Sequence, residues 1–434
     1  MPQLRDPDFP PADVAVADPT ASAAPGDGAR LNEAVAGARY LPLLQGHLKR
    51  LRSFYNHPNR ILHFDSVLTA LLVGFYESSV RSLRTLEDLS VREGAPELLG
   101  VDRVSRSTLS DAMRQMEAGK LLPIVEALAK QVPQLRRDDG DLHLLMRRIV
   151  ALDGSVFTVP ADVLWAIALT RPDKKLGRQF RLNLRLDVLR FLPVGLSVSG
   201  KLDGSETAAF LRDLAADEVG MLYLADRGFV DFCFIHAVFD KGSDLVVRLK
   251  SDTKFVCLRD NPLTDADRAA GVISDRVGHV PGSVGSPGFG DKLLREVIVV
   301  DPKTGKHVRL LTNLLEVPAR IIGLLYRHRW MIEIFFKWLK CTARLRHLMS
   351  ESHNGILLQL YVAVIGVLLT HLRTGRRPSI YAANCLAWVA SGQMSVGTMF
   401  QVLARRDRER DLERARLARK KAAAVAVAAE KSVG

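Results

Sequence analysis

Cysteine is scarce in this chain and follows no pattern. Cys233, Cys257, Cys341 and Cys385 are widely spaced across 434 residues with no CxxC pair. That spacing excludes a zinc knuckle or a disulfide framework and makes a reducing interior the default setting. Long hydrophobic runs are missing too. The most apolar stretch, LLQLYVAVIGVLLTHL at 357–372, is short of a spanning segment and contains Gln359 and His371, so a buried helix and no membrane association are expected. Residues 1–30 lack both a basic n-region and an apolar h-region, which points to a disordered leader over 1–35 and not to a signal peptide. Acids are also in deficit, 48 against 61 basic residues, leaving a net charge of +13. Such an excess favours a polyanionic partner, although charge alone does not separate nucleic acid from an anionic membrane surface or from a merely basic soluble protein.

The length suggests about two to four domains. Residues 36–140 read as a helical N-terminal DNA-binding domain: an apolar run at 61–76, a basic polar segment at 79–92, and a helix from about 108 with Thr108 and Asp111 as a capping pair. Arg106 and Arg114 flank that helix start and could contact phosphate or base edges; a purely structural helical domain is the alternative. The periodicity changes near 147. RRIVALDGSVFTVP, FRLNLRLDVL at 180–189 and LPVGLSVSG at 192–200 read as three strands, followed by a helix at 205–216, a strand delivering Asp226, a helix near 230–239 and a strand at 245–250. This is the element order of an RNase H-like α/β core, expected over 145–372, in which the first and fourth strands lie side by side. From 373 to 434 the chain reads as a helical, basic C-terminal region with a disordered end.

That adjacency would bring Asp153, at the end of the first strand, beside Asp226, at the end of the fourth. An Asp before Gly is also a common turn former, so neither aspartate decides the matter alone. The third acid comes from YRHRWMIEIFFKWLKCTAR at 326–344, which reads as a single helix. At 100° per residue Tyr326, Arg329, Glu333 and Lys340 share a sector of about 60° opposite a broad apolar face, with Lys337 and Arg344 within or beside it. Ordinary i,i+4 salt bridges are one explanation. Against it, six basic residues between 326 and 347 surround a single acid, Glu333, which suits a stripe facing phosphates and a metal. Three hard oxygen ligands without His or Cys suit Mg²⁺ or Mn²⁺, and two such ions could promote in-line displacement at a phosphodiester.

Tyr326, Arg329, Glu333 and Lys340 are spaced as Tyr, two residues, Arg, three residues, Glu, six residues, Lys. With Asp153-Gly154-Ser155, Asp226-Arg227-Gly228-Phe229 and RSTLSDAMR at 106–114, this resembles the IS4-type DDE transposases over roughly 40–370. The resemblance implies a β-rich insertion at about 252–316 within the RNase H-like catalytic domain, and cut-and-paste transposition of DNA. Asp153, Asp226 and Glu333 would be the catalytic metal ligands for two Mg²⁺ or Mn²⁺ ions. Water would nick an element end, the freed 3′-hydroxyl would form a hairpin on the other strand, and after hairpin opening the 3′-ends would join target DNA. Tyr326, Arg329, Lys337, Lys340, Arg344, Arg106 and Arg114 would contact DNA. The partners implied are double-stranded DNA with terminal inverted repeats and target DNA, with a homodimer forming on DNA in a bacterial cytoplasm. A transposase-derived regulator without activity has no need of all three acids, and another RNase H-like nuclease has no use for the Tyr-Arg-Glu-Lys stripe.

Overall fold

The computed structural model describes residues 43–431 apart from short internal stretches, the longest being 133–141, 342–347 and 375–380. Two compact units are formed, one from residues 1–106 with 369–434 and one from 107–368. The first contains helices α1 (Gln45–Ser53), α2 (Phe64–Tyr76), α3 (Leu83–Ser90) and α4 (Ala95–Leu99). α2 is apolar on nearly every side and is buried at all positions except Asp65 and Phe75, as a central helix must be. Ser82 starts α3 through a capping box with Thr85, each side chain taking up the other's backbone N–H at 3.1–3.2 Å.

The second unit begins with α5 (Arg106–Gln115) and α6 (Leu122–Gln131). α5 starts two residues before the capping pair read from the sequence, so Thr108 lies within its first turn. Asp111 instead stands 4.0 Å from Arg114, one turn along. The sheet follows: β1 (Ile149–Val159), β2 (Ile167–Thr170), β3 (Leu176–Asp187) and β4 (Leu192–Ser199), then α7 (Glu206–Leu214), β5 (Leu222–Ala225), α8 (Phe232–Asp240) and β6 (Asp244–Arg248). β4, β3 and β1 form an antiparallel meander, and β5 and β6 continue it in parallel from β1. The expected neighbouring of the first meander strand and the strand before Asp226 is therefore present, with Ile149, Val150 and Ala151 paired to Leu222, Tyr223 and Leu224. This is an α/β core of RNase H-like order after a helical N-terminal region. The short edge strand β2, paired to β3, was not expected from the sequence.

The strands after β6 are β7 (Val256–Asp260), β8 (Val272–His279), β9 (Leu294–Val300) and β10 (His307–Thr312), with the short helix α9 (Asp265–Ala269) between β7 and β8. They extend the same sheet in the order β6-β10-β9-β8-β7. Buried ion pairs link these strands. Arg295 is bidentate to Asp275 at 2.7 Å on both arms with both side chains at most 5% exposed, and Glu296, fully buried, takes Arg276 and Arg309.

Two hydrophobic layers enclose the central strands. Val150 and Leu152 of β1, Tyr223 and Ala225 of β5 and Leu245 and Val247 of β6 pack with Phe210 of α7 and Phe234 and Val238 of α8. Because strand side chains alternate, Ala151 and Asp153 face the other way. Against that second face pack α10 (Ala319–His328) and α11 (Trp330–Cys341), where Phe335 meets Phe191 edge-on at 5.4 Å. The last helices are α12 (His353–Thr374) and α13 (Val396–Lys431). α12 contains the apolar run read as a buried helix. It is long and apolar enough to cross a membrane, yet its most apolar window is 89% buried inside the protein.

Candidate active site

Asp153 is the fifth residue of the eleven-residue β1 and not its end, because β1 runs on to Val159 in antiparallel pairing with β3. What ends nearby is the parallel pairing to β5, whose last partners are Ala151 and Leu224. Two residues beyond, the strands part, and Asp153 stands at the mouth of the crevice. Asp226 follows β5 directly and caps the 3₁₀ turn Arg227–Phe229, its Oδ1 accepting from the Gly228 N–H at 2.7 Å. A crevice beyond the carboxyl ends of parallel strands is the usual place for a ligand in such sheets.

The Tyr-Arg-Glu-Lys stripe is carried by two helices, correcting the single helix read from the sequence. Tyr326 lies in the last turn of α10 and Glu333 in the first turn of α11, with Arg329 at the junction. There the Arg329 N–H donates to Tyr326 O and the Ile332 N–H to Arg329 O, both at 3.1 Å, a three-residue pattern that tightens the chain. The tightening still keeps the stripe together. Arg329 Cζ sits 5.6 Å from the Tyr326 ring centroid, Arg329 Nη2 donates to Glu333 Oε1 at 2.5 Å, and Nη1 stands 4.0 Å from Asp153 Oδ2. One guanidinium thus links the first and third acids.

The charges are unevenly compensated. Burial pushes the Asp153 carboxyl up from 3.8 to about 7; Arg329 opposes the rise, while Glu206, Asp226 and Glu333 add to it. Burial works against the charge of Arg329, but Tyr326, Glu333 and Asp153 together hold its proton more firmly than usual. The Tyr326 hydroxyl is raised by burial, with Arg329 and Arg248 pulling the other way. Among the described residues no three His, Cys, Asp or Glu side chains stand close enough to share one ion as placed.

Of the other residues read from the sequence, Lys337 is exposed on α11 and Lys340 places its Nζ 5.0 Å from the Phe157 ring centroid. Arg106 and Arg114 are exposed on α5, away from the crevice in sequence, and Arg344 lies outside the described residues. Sequence reading missed Glu206, Arg181 and Arg248, all of which act electrostatically on the crevice. Glu206 opens α7 beside Ser205, whose Oγ accepts from the Ala208 N–H at 3.2 Å, so in the sequence it reads as an ordinary first-turn acid.

The family described as Transposase DDE domain matches residues 145–369, more than half of the chain and all of the crevice. The chain belongs to the DDE transposase family. A protein of Synechocystis named as a transposase for insertion sequence element IS4SA is 22% identical over 324 residues, covering 71% of this chain and 80% of its own length. Its name agrees with the IS4-type resemblance. The transposase-named y4zB of Sinorhizobium fredii is 28% identical over 157 residues, 36% of this chain; the chain spans only 44% of that relative. A piggyBac transposase synaptic complex with hairpin DNA aligns over 87% of this chain and 80% of its own at 11% identity. The TM-score of that alignment is 0.38.

Proposed function

We propose that this member of the DDE transposase family binds the terminal inverted repeats of an insertion sequence and cleaves and rejoins DNA at the crevice between β1 and β5. The observation that supports this most is the surplus of negative charge there. Burial raises Asp153 to about 7 against the pull of Arg329, Glu206, Asp226 and Glu333 add to that rise, and Arg329 stands between Asp153 and Glu333. A crevice so charged is a poor place for polyanionic DNA unless cations enter with it.

The donors fit Mg²⁺ or Mn²⁺: among the described residues the groups acting on Asp153 are Arg329 and three carboxylates, Glu206, Asp226 and Glu333, with no His or Cys. Asp153, Asp226 and Glu333 would hold the ions. When bound, these supply a lowered pKa for an attacking water or 3′-hydroxyl and charge neutralisation at the departing oxygen. The remaining work falls to the chain itself. Asp153, raised to about 7 by burial, would hold a cation in its deprotonated form. Arg329, paired with Glu333 in this structure, would offer its planar fork to a phosphate once that carboxylate is otherwise engaged. The half-buried Tyr326 ring beside it offers a face for a displaced base, and exposed Lys337 offers a contact to the DNA backbone.

The test compares cleavage with binding on DNA carrying the element's terminal repeats. Asp153→Ala, Asp226→Ala and Glu333→Ala should each lose strand cleavage while keeping end-specific gel shifts. Cleavage at the wild-type rate by the Asp226→Ala protein refutes the assignment, and a wild-type chain that binds ends without cutting identifies a regulator instead.

A further inference from the structure

Asp153 and its neighbour Gly154 point to opposite faces of the sheet, and the Gly154 side has room only because it carries no side chain. A Cβ at 154 would overlap Glu206 Oε1 and approach Arg181 Cδ to 2.9 Å. The glycine therefore admits a carboxylate to the strand edge from the α7 face, while α11 brings Glu333 from the other. Glu206 Oε1 is buried with no hydrogen-bond partner, and so is Arg181 Nη1 nearby. Burial raises the Glu206 carboxyl; Arg181 and the Gly154 N–H pull it back down, and Asp226 across the same space adds to the rise. An orphaned buried carboxylate oxygen is costly to keep unless something else satisfies it.

We propose that Glu206 is a fourth carboxylate ligand of the divalent-cation site, acting with Asp226 from the α7 face of β1. The proposal rests on the metal-dependent reading given above. It explains why residue 154 is glycine at a position with no turn to make, since β1 continues five residues further. Arg181, on β3 opposite Val156, would take a phosphate oxygen beside the same cation, giving the second orphaned atom its acceptor.

The experiment measures Mn²⁺ binding to the full-length protein by isothermal titration calorimetry, alongside thermal unfolding in EDTA. Glu206→Gln keeps the size of the side chain and removes its charge; Gly154→Ala displaces the carboxylate without altering it. Both should weaken Mn²⁺ binding about tenfold or more, and Glu206→Gln should unfold in EDTA no earlier than wild type. Asp226→Asn serves as the reference. If Asp226→Asn loses affinity while Glu206→Gln binds Mn²⁺ as tightly as wild type, Glu206 is not a ligand and the proposal falls, with the three-carboxylate reading intact. A Glu206→Gln protein that melts well below wild type in EDTA makes it a structural charge and also overturns the proposal. If wild type takes up no Mn²⁺, the metal reading and this inference fail together.

Discussion

Removing the charge of Asp153 should stabilise the metal-free protein, and the effect should depend on pH in a defined direction. The folded chain binds the Asp153 proton more tightly than the unfolded chain does, since burial raises the group from 3.8 to about 7. The stability this proton contributes is fully present below about pH 3.8 and is lost as pH rises through about 7. A rise of that size corresponds to roughly 4 kcal/mol at alkaline pH. The side chain is 22% exposed, so some solvent relaxation is expected and about 2–3 kcal/mol is the more realistic figure. The raised value is what remains after the pull of Arg329, so a neutral Asn should come out ahead even though it gives up that attraction. Its amide oxygen can still take the Gly154 N–H that Asp153 Oδ1 accepts at 2.9 Å.

Thermal unfolding of wild type and Asp153→Asn in EDTA, across pH 5 to 8.5, reads this directly. Asp153→Asn should melt several degrees above wild type at pH 8.5, and the gap should close towards pH 5. Saturating Mg²⁺ or Mn²⁺ should reverse the order, because the carboxylate then has a cation to hold and the amide does not. Coincident melting curves at pH 8.5 in EDTA, or an Asn variant less stable there than wild type, would show that the crevice tolerates the charge of Asp153 and would remove the electrostatic case for a cation.

Further outcomes are expected elsewhere. Asp275→Ala leaves the buried Arg295 guanidinium without its carboxylate and should destabilise the β8–β10 part of the sheet by about 3–5 kcal/mol, while Asp275→Ala with Arg295→Met should recover much of the loss in chemical denaturation. Lys337→Ala should weaken end binding and lower the slope of log K against log salt by about one counterion, measured by fluorescence anisotropy; an unchanged slope makes Lys337 a solvated charge and nothing more. Joining two ends to one target requires two sites at a fixed separation, so light scattering should find two chains per pair of terminal-repeat duplexes, and a competent complex with one chain and two ends rules that assembly out.

The strand order and the position of Asp226 were legible because both rest on short-range signals: alternation in FRLNLRLDVL, and an apolar strand stopping at Asp226. The break at Arg329 was not, since helical periodicity persists across one tightened turn and the stripe stays on one side either way. Reading Asp153 as a strand end missed that β1 outlasts its parallel neighbour. The Asp-Gly pair that suggested a turn is instead a strand residue followed by a gap for another element's side chain. Glu206 was invisible for a related reason. Next to Ser205 it has every mark of a first-turn acid, and only the pairing of β1, β3 and β5 brings the start of α7 over Gly154. Periodicity places a residue on a face of its own element, whereas membership of a site depends on which element covers that face. If the gap at Gly154 is what admits Glu206 to the strand edge, Gly154→Ser should impair Mn²⁺ binding as Gly154→Ala does, since the obstruction lies at Cβ; retention of full affinity by both would mean that the strand edge has room to spare.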